Sequence, residues 1–250
     1  MQILLACAKI MHESTTTEPL LVSEPMFLKE AETFALLMNQ RSVEEMMEMF
    51  HCSRQLAIDN KLRYERFFAD NESHPAILTY FGQAYKCLKA STLSKDELRF
   101  AQQHLWITSF LYGLLRPLDL IHPYRMEGNV VLDGKSIFSH WKPLLTDILI
   151  DSIKADDGIL VHLATEEMQH LFDWKKVCKE VKIIQPQFLV MKNGKLKSVT
   201  MYAKSCRGAM TRFIIKNHLD SCEALQQFEY EGFEYKPEYG DNDHLYFILE

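Results

Sequence analysis

The spacing of apolar residues changes near residue 157, and this change constrains the fold more than any other feature of the sequence. Between residues 24 and 154 apolar side chains recur three or four positions apart, as at Phe27, Ala31 and Phe34, which is the period of a helix packed on a core. After residue 157 they come mainly in short runs bounded by turn residues, which is typical of strands. Helices and strands separated in this way predict the α+β class, with a mixed β-sheet surrounded by helices.

Local signals place the individual elements. Ser42 with Glu45 and Ser94 with Glu97 fit the capping box, in which two side chains satisfy backbone N–H groups at a helix start. An Asn-Gly pair within 192–195 predicts a tight β-hairpin turn. Helices are predicted over 24–38, 42–51, 53–70, 75–88, 94–109, 139–154, 165–171 and 203–218. Strands are predicted over 2–6, 158–163, 181–184, 188–191, 196–202, 230–235 and 244–249.

No repeat, low-complexity tract or linker divides the 250 residues, so we expect one compact domain over residues 1–250. No apolar run reaches the roughly 20 residues of a membrane-spanning helix, and no basic segment precedes the apolar N-terminal stretch as in a secretory signal. We therefore expect a cytoplasmic protein without membrane contact. The six cysteines form no CxxC pair and are predicted to be reduced thiols.

Charge is distributed unevenly along the chain. The net charge of −6 argues against attraction of the whole protein to nucleic acid. Residues 171–216, however, hold eleven lysines and arginines against two acids, whereas 217–250 hold nine acids against one lysine. Such a stretch predicts either a basic face that attracts a polyanion over about a Debye length of ~8–10 Å, or simply a solvated lysine-rich surface.

The familiar signatures of catalysis and cofactor binding are missing from the sequence. There is no GxSxG elbow, no phosphate-binding P-loop, no GxGxxG after a strand and no HExxH pair. The ten histidines are scattered, and a lone histidine is more often structural than a metal ligand. We therefore assign no catalytic residue, expect no cofactor and expect no metal site.

Three segments place cations where an anion might be held. One follows the first strand, one is a turn-rich connection fixed by Pro117 and Pro123, and one is a predicted helix in which basic residues recur at three- and four-residue spacing. The turn-rich connection and its flanking helices predict a helix-hairpin-helix-like element. Gly208, inside the basic helix, indicates either close packing or close approach of a ligand. The candidate residues are Lys9, Arg116, Arg125, Lys204, Arg207 and Arg212.

Each candidate also has a purely structural interpretation. Taken alone, the segment after the first strand favours Lys9 as a solvated loop lysine. Arg116 and Arg125 are close in sequence to Asp119 and Glu127, with which they would form internal ion pairs. The clustered cations of the basic helix repel one another unless an internal carboxylate, solvent ions or a bound phosphate lies opposite.

The same segments closely resemble the YaaA family of peroxide-stress proteins, in one order along essentially the whole chain. The matching strings are AKI, FAQQHLWITSFLYGLLRPLDLIHPYRMEG, HLATEEM and YAKSCRGAMTRFII followed by EGF. The resemblance implies a single cytoplasmic domain that acts in the peroxide-stress response, lowers unincorporated iron and binds DNA in a positively charged cleft with a helix-hairpin-helix-like element. Carried over by motif, the six candidate residues would line that cleft.

The chain departs from the family pattern in two places. The family string S-P-A-K-T reads Ala6-Cys7-Ala8-Lys9-Ile10 here, and N-L-A-S reads His162-Leu163-Ala164-Thr165. The lysine is retained, but the hydroxyl and amide groups around it differ. Chemistry carried by the first loop is therefore in question.

Two functions follow as hypotheses. The first is a stress protein that binds DNA, double-stranded or structured, without strong sequence specificity. The alternative is an enzyme that acts on a phosphorylated or carboxylated small molecule, such as a nucleotide, with Lys9 or Tyr202 as a proton-transfer candidate. A deep pocket would favour the second and an open groove the first. Direct iron sequestration is disfavoured because the sequence has neither ExxH pairs nor a cysteine cluster.

Overall fold

A computed structural model describes residues 1–13, 21–68, 73–241 and 243–250. Its strands are β1 Gln2–Leu5, β2 His74–Pro75, β3 Leu105–Ser109, β4 Gly113–Leu115, β5 Leu120–Ile121, β6 Val131–Leu132, β7 Lys135–Ser136, β8 Ile159–His162, β9 Lys182–Ile184, β10 Gln187–Lys192, β11 Lys195–Lys197, β12 Glu234–Tyr235 and β13 Tyr246–Leu249. Its α-helices are α1 Leu28–Asn39, α2 Val43–Phe50, α3 Arg54–Glu65, α4 Ala76–Thr79, α5 Gln83–Leu88, α6 Lys95–His104, α7 Ile137–Ala155, α8 Glu166–Gln169, α9 Trp174–Glu180, α10 Thr200–Lys216 and α11 Cys222–Leu225. Short 3-10 turns cover Ala90–Thr92 and Pro237–Tyr239.

A five-stranded sheet in the order β4-β3-β1-β8-β9 forms the centre of the fold. Strands β3, β1, β8 and β9 are parallel, with Ile3 opposite both Leu105 and Val161, and β4 returns antiparallel beside β3. Every residue of β1 and β3 is buried, because helices and loops cover both faces of this sheet. The parallel strands therefore end together at one edge, where their connections can form a site.

A second sheet, in the order β11-β10-β13-β12, lies in the last third of the chain. The predicted hairpin joins β10 to β11, and its turn residues Asn193 and Gly194 have φ values of 54° and 71°. Both central positions of such a turn require positive φ, which Asn and Gly tolerate best. The two sheets and their helices make one compact α+β domain, so the predicted fold class is confirmed.

Helix α10 packs closely on α5, and this contact explains Gly208. A Cβ atom at position 208 would lie 1.8 Å from the Ala84 carbonyl oxygen. Of the two explanations open from the sequence, close packing is therefore the one that applies. Both predicted capping boxes are also present, at Ser42 and Ser94.

Two predicted helices were wrong in their extent. The helix expected over 94–109 ends at His104, because the buried run after it joins the central sheet as β3. The helix expected over 75–88 divides into α4 and α5, because Tyr80 pairs with Met11 and the Phe81 N–H donates to the Ile10 carbonyl at 2.8 Å. The last two residues of the helix expected over 53–70 lie outside the described residues.

The helix-hairpin-helix-like element remains a prediction. Between α6 and Arg125 the structure has the strands β3, β4 and β5. The six cysteines all fall in the described ranges and are free thiols. No helix in the described part of the chain is long and apolar enough to span a bilayer.

Candidate functional site

A cavity of about 640 Å³ opens at the carboxyl edge of the central sheet. Leu5 at the end of β1, Phe110 after β3 and Leu163 after β8 all contribute to its wall. Helices α5 and α10 form two further sides, and the start of α8 forms another. The parallel direction of three strands thus brings segments that are distant in sequence to one hollow.

The loop after β1 is held in place by hydrogen bonds from the α4–α5 region. Tyr85 Oη donates to the Ala6 carbonyl at 3.0 Å, and the Phe81 N–H donates to the Ile10 carbonyl at 2.8 Å. The His12 N–H donates to the Thr79 carbonyl, also at 2.8 Å. These bonds fix the backbone on both sides of Lys9 and so place its ammonium group at the cavity.

The cavity lining is cationic and apolar. One carboxylate, that of Glu167, is in the described lining, together with five basic side chains. The basic residues are Lys9, Lys86, Arg125, Lys204 and Arg207. Most of the remaining wall is apolar, including Ile10, Phe81, Phe110, Met126, Leu163, Met168 and Met201. Such a lining suits a ligand that combines negative charge with an apolar or planar body.

Two of the predicted residues, Lys204 and Arg207, reach the cavity from consecutive turns of α10. Neither side chain has a hydrogen bond or ion pair to any part of the chain that the structure describes. Arg207 is half-buried, and burial lowers the pKa of its guanidinium, an effect that the nearby Glu166 partly offsets. A half-buried cation without a partner costs free energy unless it binds an anion.

Two further predicted residues share an internal carboxylate. Lys9 Nζ lies 3.1 Å from Glu127 Oε1, and Arg125 Nη2 lies 2.6 Å from the same oxygen. Tyr64 Oη donates to the Arg125 carbonyl and fixes the backbone there. The ion pair expected between Arg125 and Glu127 is thus present, yet both cations still line the cavity.

The other two predicted residues lie elsewhere. Arg116 follows β4, which runs back to the amino edge of the sheet, and there its Nη1 donates to Gln2 Oε1 at 3.2 Å. Arg212 Nη1 donates to the carbonyls of Leu88 and Lys89, at 3.1 and 3.2 Å, and so caps the end of α5. The structure therefore brings together Lys9, Arg125, Lys204 and Arg207, but neither Arg116 nor Arg212.

Two lysines of the basic stretch over 171–216 form ion pairs with acids from other segments. Lys176 pairs with Asp147 at 2.5 Å, and Lys216 pairs with Glu97 at 3.0 Å. Within this stretch, the described cavity lining includes Lys204 and Arg207. Tyr202, considered for proton transfer, is exposed outside the lining, with its ring 5.9 Å from that of Phe233.

Hydroxyl and thiol groups in and next to the cavity wall are held neutral. The hydroxyl of Tyr124 lies 2.8 Å from that of Tyr80 and 2.7 Å from Ser109 Oγ. Burial raises the pKa of Tyr124 well above its usual value, with Tyr80 adding to the effect. Burial, and then the charge of Glu167, raise the pKa of the Cys7 thiol to about 12. These groups therefore offer neutral hydrogen bonds rather than a ready nucleophile.

Sequence reasoning missed several residues of the cavity. Lys86 carried no pattern of its own, since it is one lysine on a short helix. Thr165 and Glu167 belong to the string HLATEEM, which matches the family pattern but assigned no role to either residue. Thr165 Oγ1 is buried and lacks a partner among the described residues, so it is an unused hydrogen-bonding group in the cavity wall.

Fold and site together define a class: an α+β protein with a cavity, lined by cations and apolar groups, where parallel strands end. Within this class the chain belongs to the family described as "Peroxide stress protein YaaA", which matches residues 1–239. It is 46% identical over 245 residues to a UPF0246 protein of Bacteroides fragilis, covering 96% of this chain and 95% of the relative. A UPF0246 protein of Bacteroides thetaiotaomicron is 44% identical over 252 residues, with 99% and 98% covered. One of Legionella pneumophila is 36% identical over 235 residues, with 90% of each chain covered.

Proposed function

We propose that this chain acts in the cytoplasmic peroxide-stress response by binding DNA through the cationic cavity and its mouth. The observation that carries the proposal is the convergence of Lys204 and Arg207, both without partners among the described residues, on one hollow with three other cations. Unpaired cations in a partly desolvated site gain most from contact with a phosphate. We further propose that this binding helps limit oxidative damage to DNA, and that the lowering of free iron is an indirect outcome.

The proposed binding is largely independent of base sequence. The side chain of Lys9 is 59% exposed, and Lys86 and Lys204 are also exposed. These residues are suited to contact phosphates of the backbone. Phosphate contacts position a protein on DNA but carry no sequence information directly. The affinity should therefore depend strongly on salt and weakly on sequence.

The shape of the cavity favours a second candidate, an enzyme or receptor for a phosphorylated or carboxylated small molecule. Its volume of about 640 Å³ lies in the range of roughly 300–1,000 Å³ that is usual for small-ligand sites. The same cations would hold the anionic group. A screen of nucleotides by thermal shift tests this candidate, because a ligand that binds only the folded state raises the melting temperature.

A matched pair of double variants tests the DNA-binding proposal. Lys204→Gln with Arg207→Gln removes two cations from the cavity, whereas Lys175→Gln with Lys179→Gln removes two exposed cations from α9 in the same basic stretch. We expect the first pair to weaken binding of a 20-base-pair duplex at least tenfold in fluorescence anisotropy. It should also reduce the slope of log affinity against log salt by about 1.8, or ~0.9 per lost phosphate contact. The second pair should bind like the wild type. Equal losses from both pairs would show general charge attraction and contradict a role for the cavity.

A further inference from the structure

We infer that the cavity receives one nucleoside-phosphate unit, with its base against the apolar wall and its phosphate beside Lys204 and Arg207. The inference rests on the proposed function, and it names the chemistry that this site selects. That chemistry has two sources: an unpaired nucleotide within a DNA strand, or a free nucleotide.

The first step of the inference is size. A base pair inside a duplex is flanked by stacked neighbours and by two backbones, so it cannot enter a hollow of about 640 Å³. Proteins that place nucleic acid in a pocket of this kind take a single nucleotide out of the stack. The duplex itself would remain outside, against the exposed lysines at the mouth.

The second step is that one lining combines cations with apolar surface. Lys204 and Arg207 project from α10, and Phe110 and Met168 contribute apolar surface from other segments. A nucleotide combines the same two kinds of group, a charged phosphate and a planar base. Aromatic and thioether side chains bind the face of any base, so this arrangement needs no particular sequence.

The third step is the polar group left free in the wall. Thr165 Oγ1 is buried and has no partner in the described part of the chain. Gln83 Nε2 already donates to Ser205 Oγ at 2.9 Å, so this amide is fixed in orientation. A buried hydroxyl without a partner in the cavity wall is suited to bond a sugar hydroxyl or the edge of a base.

Three DNA duplexes of equal charge, measured at one salt concentration, test the inference. The first has blunt ends, the second carries one unpaired terminal thymidine phosphate, and the third carries an abasic sugar phosphate in its place. The phosphate count is kept equal by trimming a distant end. We expect the duplex with the unpaired nucleotide to bind about tenfold more tightly than the other two, because stacking of one base supplies a factor of that order.

A variant that covers the cavity mouth separates this preference from duplex binding. Met201 lines the cavity and is 58% exposed on the first turn of α10. Met201→Trp should abolish the tenfold ratio between the affinities for the unpaired-nucleotide duplex and the blunt duplex, and taking this ratio within the variant cancels any change in its general affinity for DNA. Leu36→Trp, at a 51% exposed position on α1, is the control for a surface tryptophan and should retain the preference.

The outcomes distinguish the inference from the function on which it rests. Equal binding of all three duplexes, together with no binding of thymidine monophosphate, would overturn the inference and leave DNA binding intact. Failure to bind any duplex would overturn the DNA-binding proposal itself. Thymidine monophosphate then decides the source: if it binds the wild type but not Met201→Trp, the cavity takes a free nucleotide, and if neither it nor any duplex binds, the inference is also overturned.

Discussion

Arg116 and Arg207 lie at opposite edges of the central sheet and differ in whether the fold pairs their charges. At the amino edge, the guanidinium of Arg116 donates to the Gln2 side chain, the Leu105 carbonyl and Ser152 Oγ, all within 3.3 Å. It also lies 3.4 Å above the ring of Trp106. At the carboxyl edge, Arg207 has no such partner in the described ranges. The charge of Arg116 is thus satisfied within the fold, whereas that of Arg207 is left available to a ligand.

Two histidines repeat the contrast. At the amino edge, His104 Nδ1 lies 3.1 Å from Asp156 Oδ2, and the same carboxylate pairs with the N-terminal amine at 3.2 Å. At the carboxyl edge, His162 ends β8 and is 2% exposed, and neither ring nitrogen has a partner among the described residues. The groups of the amino edge are thus paired within the fold, whereas the unpaired groups of the carboxyl edge are expected to lower stability in exchange for the proposed binding site.

The largest expected effect comes from removing the cation of the amino edge. Arg116→Met leaves several buried acceptors without a donor, and each such loss costs about 1–3 kcal/mol. We expect the free energy of unfolding, measured by urea denaturation, to fall by about 3 kcal/mol. DNA affinity of the folded fraction should not change, since Arg116 lies outside the described cavity lining. A loss below about 1 kcal/mol would remove the contrast between the two edges.

The next effect is a dependence of stability on pH at the carboxyl edge. Burial, and then the charge of Arg207, lower the pKa of His162 to about 4, whereas an unfolded histidine titrates near 6.5. Between these values the unfolded chain binds the proton more tightly, so stability falls as pH decreases from 6.5 towards 4. At pH 5 this linkage amounts to about 2 kcal/mol.

Replacing the ring removes this linkage. Between pH 7.5 and pH 5, His162→Phe should lose about 2 kcal/mol less unfolding free energy than the wild type in urea denaturation. His170→Phe, at an exposed histidine, controls for the loss of one ring. Parallel stability curves for wild type and His162→Phe would show that His162 is protonated or solvated in the native protein, contrary to the burial described.

Local features of the fold were predictable from sequence, and long-range placement was not. The capping boxes at Ser42 and Ser94 and the Asn-Gly hairpin depend on residues a few positions apart, so their patterns were sufficient. The run after His104 has helical and strand character alike, and its pairing with β1 and β4 decides for a strand. The partner in β1 lies about 100 residues away and leaves no signal in the run itself.

The candidate site shows the same limit. Arg116 and Arg207 were equally good candidates from sequence, because one is a cation in a turn-rich connection and the other a cation in a helix with further basic residues. The antiparallel return of β4 carries Arg116 to the amino edge, whereas α10 presents Arg207 at the carboxyl edge. The direction of one strand thus separates a structural arginine from a candidate binding arginine. Lys86 was missed because a single lysine on a short helix has no sequence pattern, and only its position in the cavity wall makes it a candidate.

The smallest expected change in stability is the sharpest test of the contrast. Arg207→Met keeps an unbranched apolar stem against the cavity wall but removes a half-buried, unpaired charge. We expect the free energy of unfolding to rise by about 0.5 kcal/mol, because the cost of partly desolvating the unpaired guanidinium slightly exceeds the hydration that it retains. Duplex affinity should fall at least tenfold. The pKa of His162 should also rise, since Arg207 is one of the two causes that lower it, and NMR titration of the imidazole measures this directly. A loss of more than about 1 kcal/mol would instead make Arg207 a structural residue like Arg116, and the carboxyl edge would no longer differ from the amino edge in kind.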